Sequence, residues 1–168
     1  MVIHLMGSHS KYSKRYPMKY NKFNLAKNNK EKIINEYDNS ILYNDFVVNS
    51  LLYIKKQYCI ENHEVIATAI YFSDHGENVY DENDNVGHDY ADVLPKANVE
   101  IPFIVWYSAR YQSLYPNKLN IIYSNKNKPF ITDNLFHAII DINDITFKLF
   151  EPERSIFNKK YNSNRKRI

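Results

Sequence analysis

A chain of 168 residues with 44% hydrophobic and 24% charged side chains can bury one sizeable core, so one domain or part of a larger one is the expectation. Its 22 basic and 19 acidic side chains leave a formal charge of +3, too balanced to demand a polyanionic partner. A lone cysteine, Cys59, excludes an internal disulfide, and no stretch reaches the roughly eighteen apolar residues of a membrane-spanning helix.

In chain order, "VIHLM" at 2–6 is a short apolar run stopped by Gly7 and predicts a buried strand. Residues 10–28 are polar, aromatic and basic, with Pro17 inside, and predict a long loop with at most a helical turn. From Lys30 to Gln57 there is neither Gly nor Pro, and Ile34, Tyr37, Ile41, Val48 and Leu52 share one face at helical spacing, which predicts a long amphipathic helix. "VIATAIYF" at 65–72 is β-branched, aromatic and non-alternating, as in a central parallel strand. "IPFIVWYS" at 101–108 predicts a third strand, with Pro102 at its start where a missing donor is tolerated. Helical segments follow at about 109–124 and 132–142, where Thr132 or Asp133 can cap "NLFHAIID". Strand, helix, strand, strand, helix implies an open α/β sheet, in which ligands sit beyond the carboxyl ends of the strands.

The unusual residues lie at those ends. Only three glycines occur, and each lies within two residues of a histidine: Gly7 with His9, Gly76 with His75, Gly87 with His88. A chain this poor in glycine keeps it where the backbone turns sharply or approaches a ligand. Asp74 and His75 follow the best strand directly, and carboxylate oxygen and imidazole nitrogen are standard zinc ligands. His9 and His88 are candidates for a second metal, for a phosphate oxygen, or for holding another ligand in place. The competing reading of Asp74 and His75 is a turn cap. His4 inside a strand and His137 on an apolar helix face read as packed structural histidines, His63 as an exposed one. "DENDN" at 81–85 lacks the glycine and terminal glutamate of a calcium loop and reads as a solvated acidic loop.

Taken together, "HLMGSHSKYSKRYP", "EYDNSILYNDFVV", "YFSDHGENVYD", "GHDY" and "IPFIVWYS", in that order, resemble the carboxyl-terminal half of the catalytic domain of bacterial phosphoethanolamine transferases. These are membrane-anchored enzymes of the alkaline-phosphatase and sulfatase superfamily that modify lipopolysaccharide. The later "KPFITDNLFHAIIDI" and "ERSIFNKKYNSNRKRI" look most like the branch that decorates the core heptose. The resemblance implies a three-layer α/β sandwich with a mostly parallel sheet, of which residues 1–157 form part and the amino-terminal half is missing. It implies that Asp74 and His75 bind a catalytic zinc, and that His9 and His88 hold the substrate phosphate or a second zinc. Ser10 stands where the family usually has glycine, and "VGHDY" replaces a more common "LHG".

The implied reaction is a double displacement: a zinc-activated threonine takes phosphoethanolamine from phosphatidylethanolamine, and a lipopolysaccharide sugar then receives it, at the periplasmic face of the inner membrane. The threonine and a glutamate ligand belong to the amino-terminal half of the family domain and have no counterpart here. Two protein ligands are one short of the usual three for a catalytic zinc, and three strands make a thin sheet. A truncated, inactive fragment is therefore the expectation for the isolated chain. A sulfatase or phosphodiesterase of the same superfamily would share the zinc pair. A third reading is a non-catalytic module using the basic tail, residues 158–168, on lipid or nucleic acid. That tail carries Lys159, Lys160, Arg165, Lys166 and Arg167 and reads first as a solvated terminus; a membrane surface is the expected partner and nucleic acid is not.

Overall fold

The computed structural model describes residues 1–88 and 94–165; Asp89 and Tyr90 of the "GHDY" run, and Lys166 and Arg167 of the basic tail, lie outside them. The elements are helix α1 (Asn29–Glu61), strands β1 (Thr68–Phe72), β2 (Asn78–Val79) and β3 (Val86–Gly87), helix α2 (Lys96–Val99), strand β4 (Phe103–Tyr107), and helices α3 (Ala109–Leu114), α4 (Pro116–Asn125) and α5 (Leu135–Ile142). Short 3-10 turns occupy Tyr12–Lys14, Met18–Tyr20, Thr132–Asn134 and Pro152–Arg154. Strand β1 neighbours β4 in one two-stranded sheet, and β2 pairs with β3 antiparallel in another. The chain forms two units, Met1–Lys55 with Tyr71–Ile104, and Lys56–Ile70 with Val105–Ile168.

In the first unit, α1 starts on a reciprocal cap. Asn28 Oδ1 accepts the Glu31 N–H at 2.9 Å, and Glu31 Oε2 accepts the Lys27 N–H at 2.7 Å, which satisfies donors the first helical turn would leave unpaired. Its most deeply buried residue is polar. Asn39, at 0% exposure, accepts the N–H groups of Lys22 and Phe23 at 2.8 and 3.0 Å and donates to Phe23 O at 2.9 Å and Asn21 Oδ1 at 3.1 Å. The looped segment before α1 is thus pinned to the helix by one amide.

In the second unit, Tyr111, Leu119, Ala138, Ile140, Ile142, Ile156 and Phe157 are buried. Ser108 starts α3 by accepting the Tyr111 N–H at 3.1 Å, and its hydroxyl also donates to Val65 O at 3.0 Å. Tyr111 donates its hydroxyl to Ile142 O at 2.7 Å, and burial, aided by Tyr115, Asp141 and Asp144, pushes that phenol up to about 12. Lys118 and Asp141 form a largely buried ion pair, to which Asn158 Nδ2 adds a bond at 3.0 Å.

Several expectations are corrected. Residues 2–6 form no strand: Val2 is 96% exposed, and a β segment gains its stability from a neighbouring strand that these residues lack among the described ones. His4 is consequently exposed and not packed. The helical stretch 109–124 is two helices, because Pro116 restarts the chain at the first position of α4. Neither Thr132 nor Asp133 caps α5; these residues sit inside a 3-10 turn and Asn134 precedes the helix without a side-chain cap bond. Ile41 is 44% exposed and does not join the buried face of α1. The basic tail is not simply solvated: Tyr161 is buried and donates to Pro129 O, and Arg165 pairs with Asp133 at 3.2 Å. The long helix, buried His137 and exposed His63 stand as expected, and strands form near 68–72 and 103–107, but the first of them is not central: its sheet has two strands, β1 and β4, among the described residues.

Candidate metal and phosphate site

The first unit gathers the unusual residues where β1 ends. Ser73 donates its hydroxyl to His75 O at 2.7 Å, which folds the chain back after the strand, and the His75 N–H is accepted by Asp74 Oδ1 at 3.1 Å. Gly76 follows because nothing larger fits: an added Cβ would lie 2.0 Å from Ala97 O, while the Gly76 N–H bonds Asn98 O at 2.9 Å. Helix α2 thereby locks the turn that displays Asp74 and His75.

Within this turn His75 Nδ1 lies 2.8 Å from Gly76 O. A carbonyl only accepts, so Nδ1 carries a hydrogen, and in the neutral ring Nε2 is the atom with the lone pair. That Nε2 lies 3.9 Å from Asp74 Oδ1, and the Asp74 side chain is 86% exposed. Partial desolvation pushes the Asp74 carboxyl up, but the His75 charge, the backbone N–H groups of Asp74 and His75 and the Ser73 hydroxyl outweigh it and hold its pKa below the ordinary carboxylate value.

His88 arrives from the other side of the turn. The antiparallel register pairs Asn78 with Gly87 and Val79 with Val86, so one step further Glu77 stands opposite His88. His88 Nδ1 is 3.3 Å from Glu77 Oε2, and the His75 and His88 rings lie 4.0 Å apart with a 38° tilt. Among the described residues, His75, Glu77 and His88 form a group whose ligand-capable atoms all lie within 4.8 Å of one another. His9 is exposed and stands outside that group; its Nδ1 faces Ser10 Oγ at 3.1 Å and its carbonyl accepts Arg15 Nε at 3.1 Å.

Two residues at the site carry no role in the sequence reading. Glu77 was visible as the last letter of "SDHGE", but its position opposite His88 depends on a register of two-residue strands. Tyr12 donates its hydroxyl to Glu77 Oε1 at 2.9 Å; burial, then the bond to Glu77, holds its pKa well above the ordinary tyrosine value, so it remains a donor. One Tyr among fifteen has no sequence signal to single it out. The acidic loop 81–85 is exposed as expected, though Glu82 Oε1 accepts the Ala97 N–H at 2.7 Å.

The sulfatase family model matches residues 1–145. The chain belongs to the sulfatase family. Within it, this sulfatase-family chain is 31% identical over 170 residues to phosphoethanolamine transferase EptC of Escherichia coli K12, covering 96% of the chain and 28% of that relative. Over 150 residues it is 30% identical to phosphoethanolamine transferase EptA of Helicobacter pylori, covering 84% and 27%. The chain thus spans little more than a quarter of the length of these curated relatives. Its fold matches the C-terminal periplasmic domain of E. coli EptC in complex with Zn, with a TM-score of 0.83 and 30% identity over 95% of this chain and 45% of that one. The corresponding domain from Campylobacter jejuni gives 0.78 and 28% over 96% and 52%. The alkaline-phosphatase and sulfatase type of α/β fold follows from these matches, and the relatives named here are phosphoethanolamine transferases.

Proposed function

We propose that this chain carries the metal- and phosphate-binding part of a zinc-dependent transferase that moves phosphoethanolamine from phosphatidylethanolamine to a lipopolysaccharide sugar on the periplasmic side of the inner membrane. The observation that carries the reading is the Asp74–His75 pair. Two ligands at about 2.0–2.1 Å on a tetrahedral zinc stand ~3.4 Å apart. Asp74 Oδ1 and His75 Nε2, 3.9 Å apart, come within that range by a small rotation of an exposed carboxylate. The commitment of His75 Nδ1 to a backbone carbonyl is the support that metal-binding imidazoles ordinarily have. Zinc held by Asp74 and His75 would supply Lewis acidity to the phosphoryl group and lower the pKa of an attacking alcohol.

The remaining chemistry belongs to the protein and its substrates. The resemblance assigns the nucleophile to a threonine that none of these site residues supplies. Its oxygen bonds to phosphorus as the diacylglycerol oxygen leaves, and an acceptor hydroxyl then displaces the threonine oxygen. His88, packed on His75, and His9, eight residues into the chain from Met1, are the groups proposed to hold phosphate oxygens or a second metal.

Two measurements test this. Zinc titration of the metal-stripped chain should show binding that Asp74→Ala and His75→Ala each weaken by at least about tenfold. In a chimera carrying residues 1–168 in place of the aligned part of E. coli EptC, phosphoethanolamine transfer should occur and should be lost with Asp74→Ala. Transfer that survives Asp74→Ala overturns the assignment of the metal pair.

A further inference from the structure

We propose that Glu77 and Tyr12 are positioning residues for His88: the carboxylate, held by the tyrosine hydroxyl, fixes the histidine ring with its hydrogen on Nδ1 and turns Nε2 outward toward substrate. The Glu77 side chain is 9% exposed and uses both oxygens, Oε1 on the Tyr12 hydroxyl at 2.9 Å and Oε2 on His88 Nδ1 at 3.3 Å. A carboxylate only accepts, so the hydrogen of the second contact lies on Nδ1 and Nε2 is the ring atom left over.

Three features make the contact a device and not a chance ion pair. The β2–β3 register sets residues 77 and 88 opposite each other, and Gly87, at φ +116°, gives the bend that side-chain-bearing residues avoid. Tyr12 is 5% exposed and packs edge-on against Tyr37 of α1, with ring centroids 5.2 Å apart, so its hydroxyl is delivered from a fixed position. The other flank of the His88 ring is covered by His75 at 4.0 Å. The His88 side chain is itself 47% exposed, so the buried member of the pair is the carboxylate, and a second group fixing the tautomer of a working imidazole is how such rings are oriented elsewhere. Tyr12 follows His9 by three residues, so the same bond ties the segment bearing His9 to the turn bearing His75.

What Nε2 then meets rests on the transferase reading; the tautomer is a property of this chain alone. The test is the long-range 1H–15N spectrum of the ring nitrogens in the histidine-labelled 168-residue chain at about pH 8, where imidazoles are neutral. His88 should show a protonated Nδ1 and a bare Nε2. A protonated Nε2, or an even mixture, overturns the proposal, and this result decides without any variant. Glu77→Leu, or Tyr12→Phe with Glu77→Leu where the single variant does not fold, should move His88 to the Nε2–H form; an unchanged tautomer in a folded variant overturns it. In the chimera with E. coli EptC, Glu77→Leu should lower kcat at least about tenfold with little change in KM. Unchanged kcat overturns the positioning role, whereas an inactive unsubstituted chimera counts against the transferase reading and leaves the spectra to decide the relay.

Discussion

Gly76 lies so close to Ala97 that an added Cβ would come within 2.0 Å of the Ala97 carbonyl oxygen. No rotamer relieves that contact, because the obstructing atom is backbone. Gly76→Ala should therefore separate α2 from the turn, break the Gly76 N–H bond to Asn98 O, and cost about 1–3 kcal/mol in urea unfolding. Zinc affinity should fall with it, because the displaced turn is the one that presents Asp74 and His75. An unfolding midpoint equal to wild type would show that the close approach is not maintained in solution.

Asn39 offers a test of how the segment before α1 is held. Asn39→Ala leaves the Lys22 and Phe23 N–H groups without their acceptor, at about 1–3 kcal/mol for the buried donors. Hydrogen exchange is the sensitive readout: the Lys22 and Phe23 amides should lose protection first, while α4 and α5 amides keep theirs.

Lys118 and Asp141 should behave as a pair. Their side chains are 16% and 7% exposed, so Lys118→Met strands a buried carboxylate and should cost about 3–5 kcal/mol. Replacing both, as Lys118→Met with Asp141→Leu, should recover much of that loss. A double-mutant cycle in denaturant measures it, and additive single effects would mean the two charges are not coupled.

His137 predicts a pH dependence with a definite sign. Burial, reinforced by the Arg154 charge and partly opposed by Glu151, holds its pKa below the ordinary 6.5. Its Nδ1 also accepts the Glu151 N–H at 3.1 Å, an arrangement only the neutral ring can keep. The unfolded chain takes up a proton at 6.5 that the folded chain resists, so stability from this group is present above pH 6.5 and is lost as pH falls through 6.5 toward the lower folded value. Thermal unfolding of wild type against His137→Gln between pH 8 and pH 5 should converge as pH drops. Parallel curves across that range would remove His137 as the cause.

Local residue patterns set the long helix, the strands near 68–72 and 103–107, and the turn after the first of them, because helix propensity, β-branching and the Ser73–Gly76 run act within a few residues. "SDHGE" announced Asp74 and His75 for the same reason. The strand expected at 2–6 failed on a non-local requirement, a neighbour to pair with. Asn39 was hidden because an asparagine in the middle of a helix looks like a surface residue until the loop it holds is folded over it. Pro116 was legible in the sequence as a breaker, but its use as the first residue of a new helix depended on Tyr115 leaving the helical path.

By itself, the order of amino acids determined which segments coil or extend and which short run presents a carboxylate beside an imidazole. Only the folded chain decided that His88 meets Glu77, that Tyr12 holds the other oxygen, and that α2 stands against Gly76. Those relationships depend on strand register and on close approach between segments far apart in the chain, and neither is encoded in the spacing of residues along one stretch.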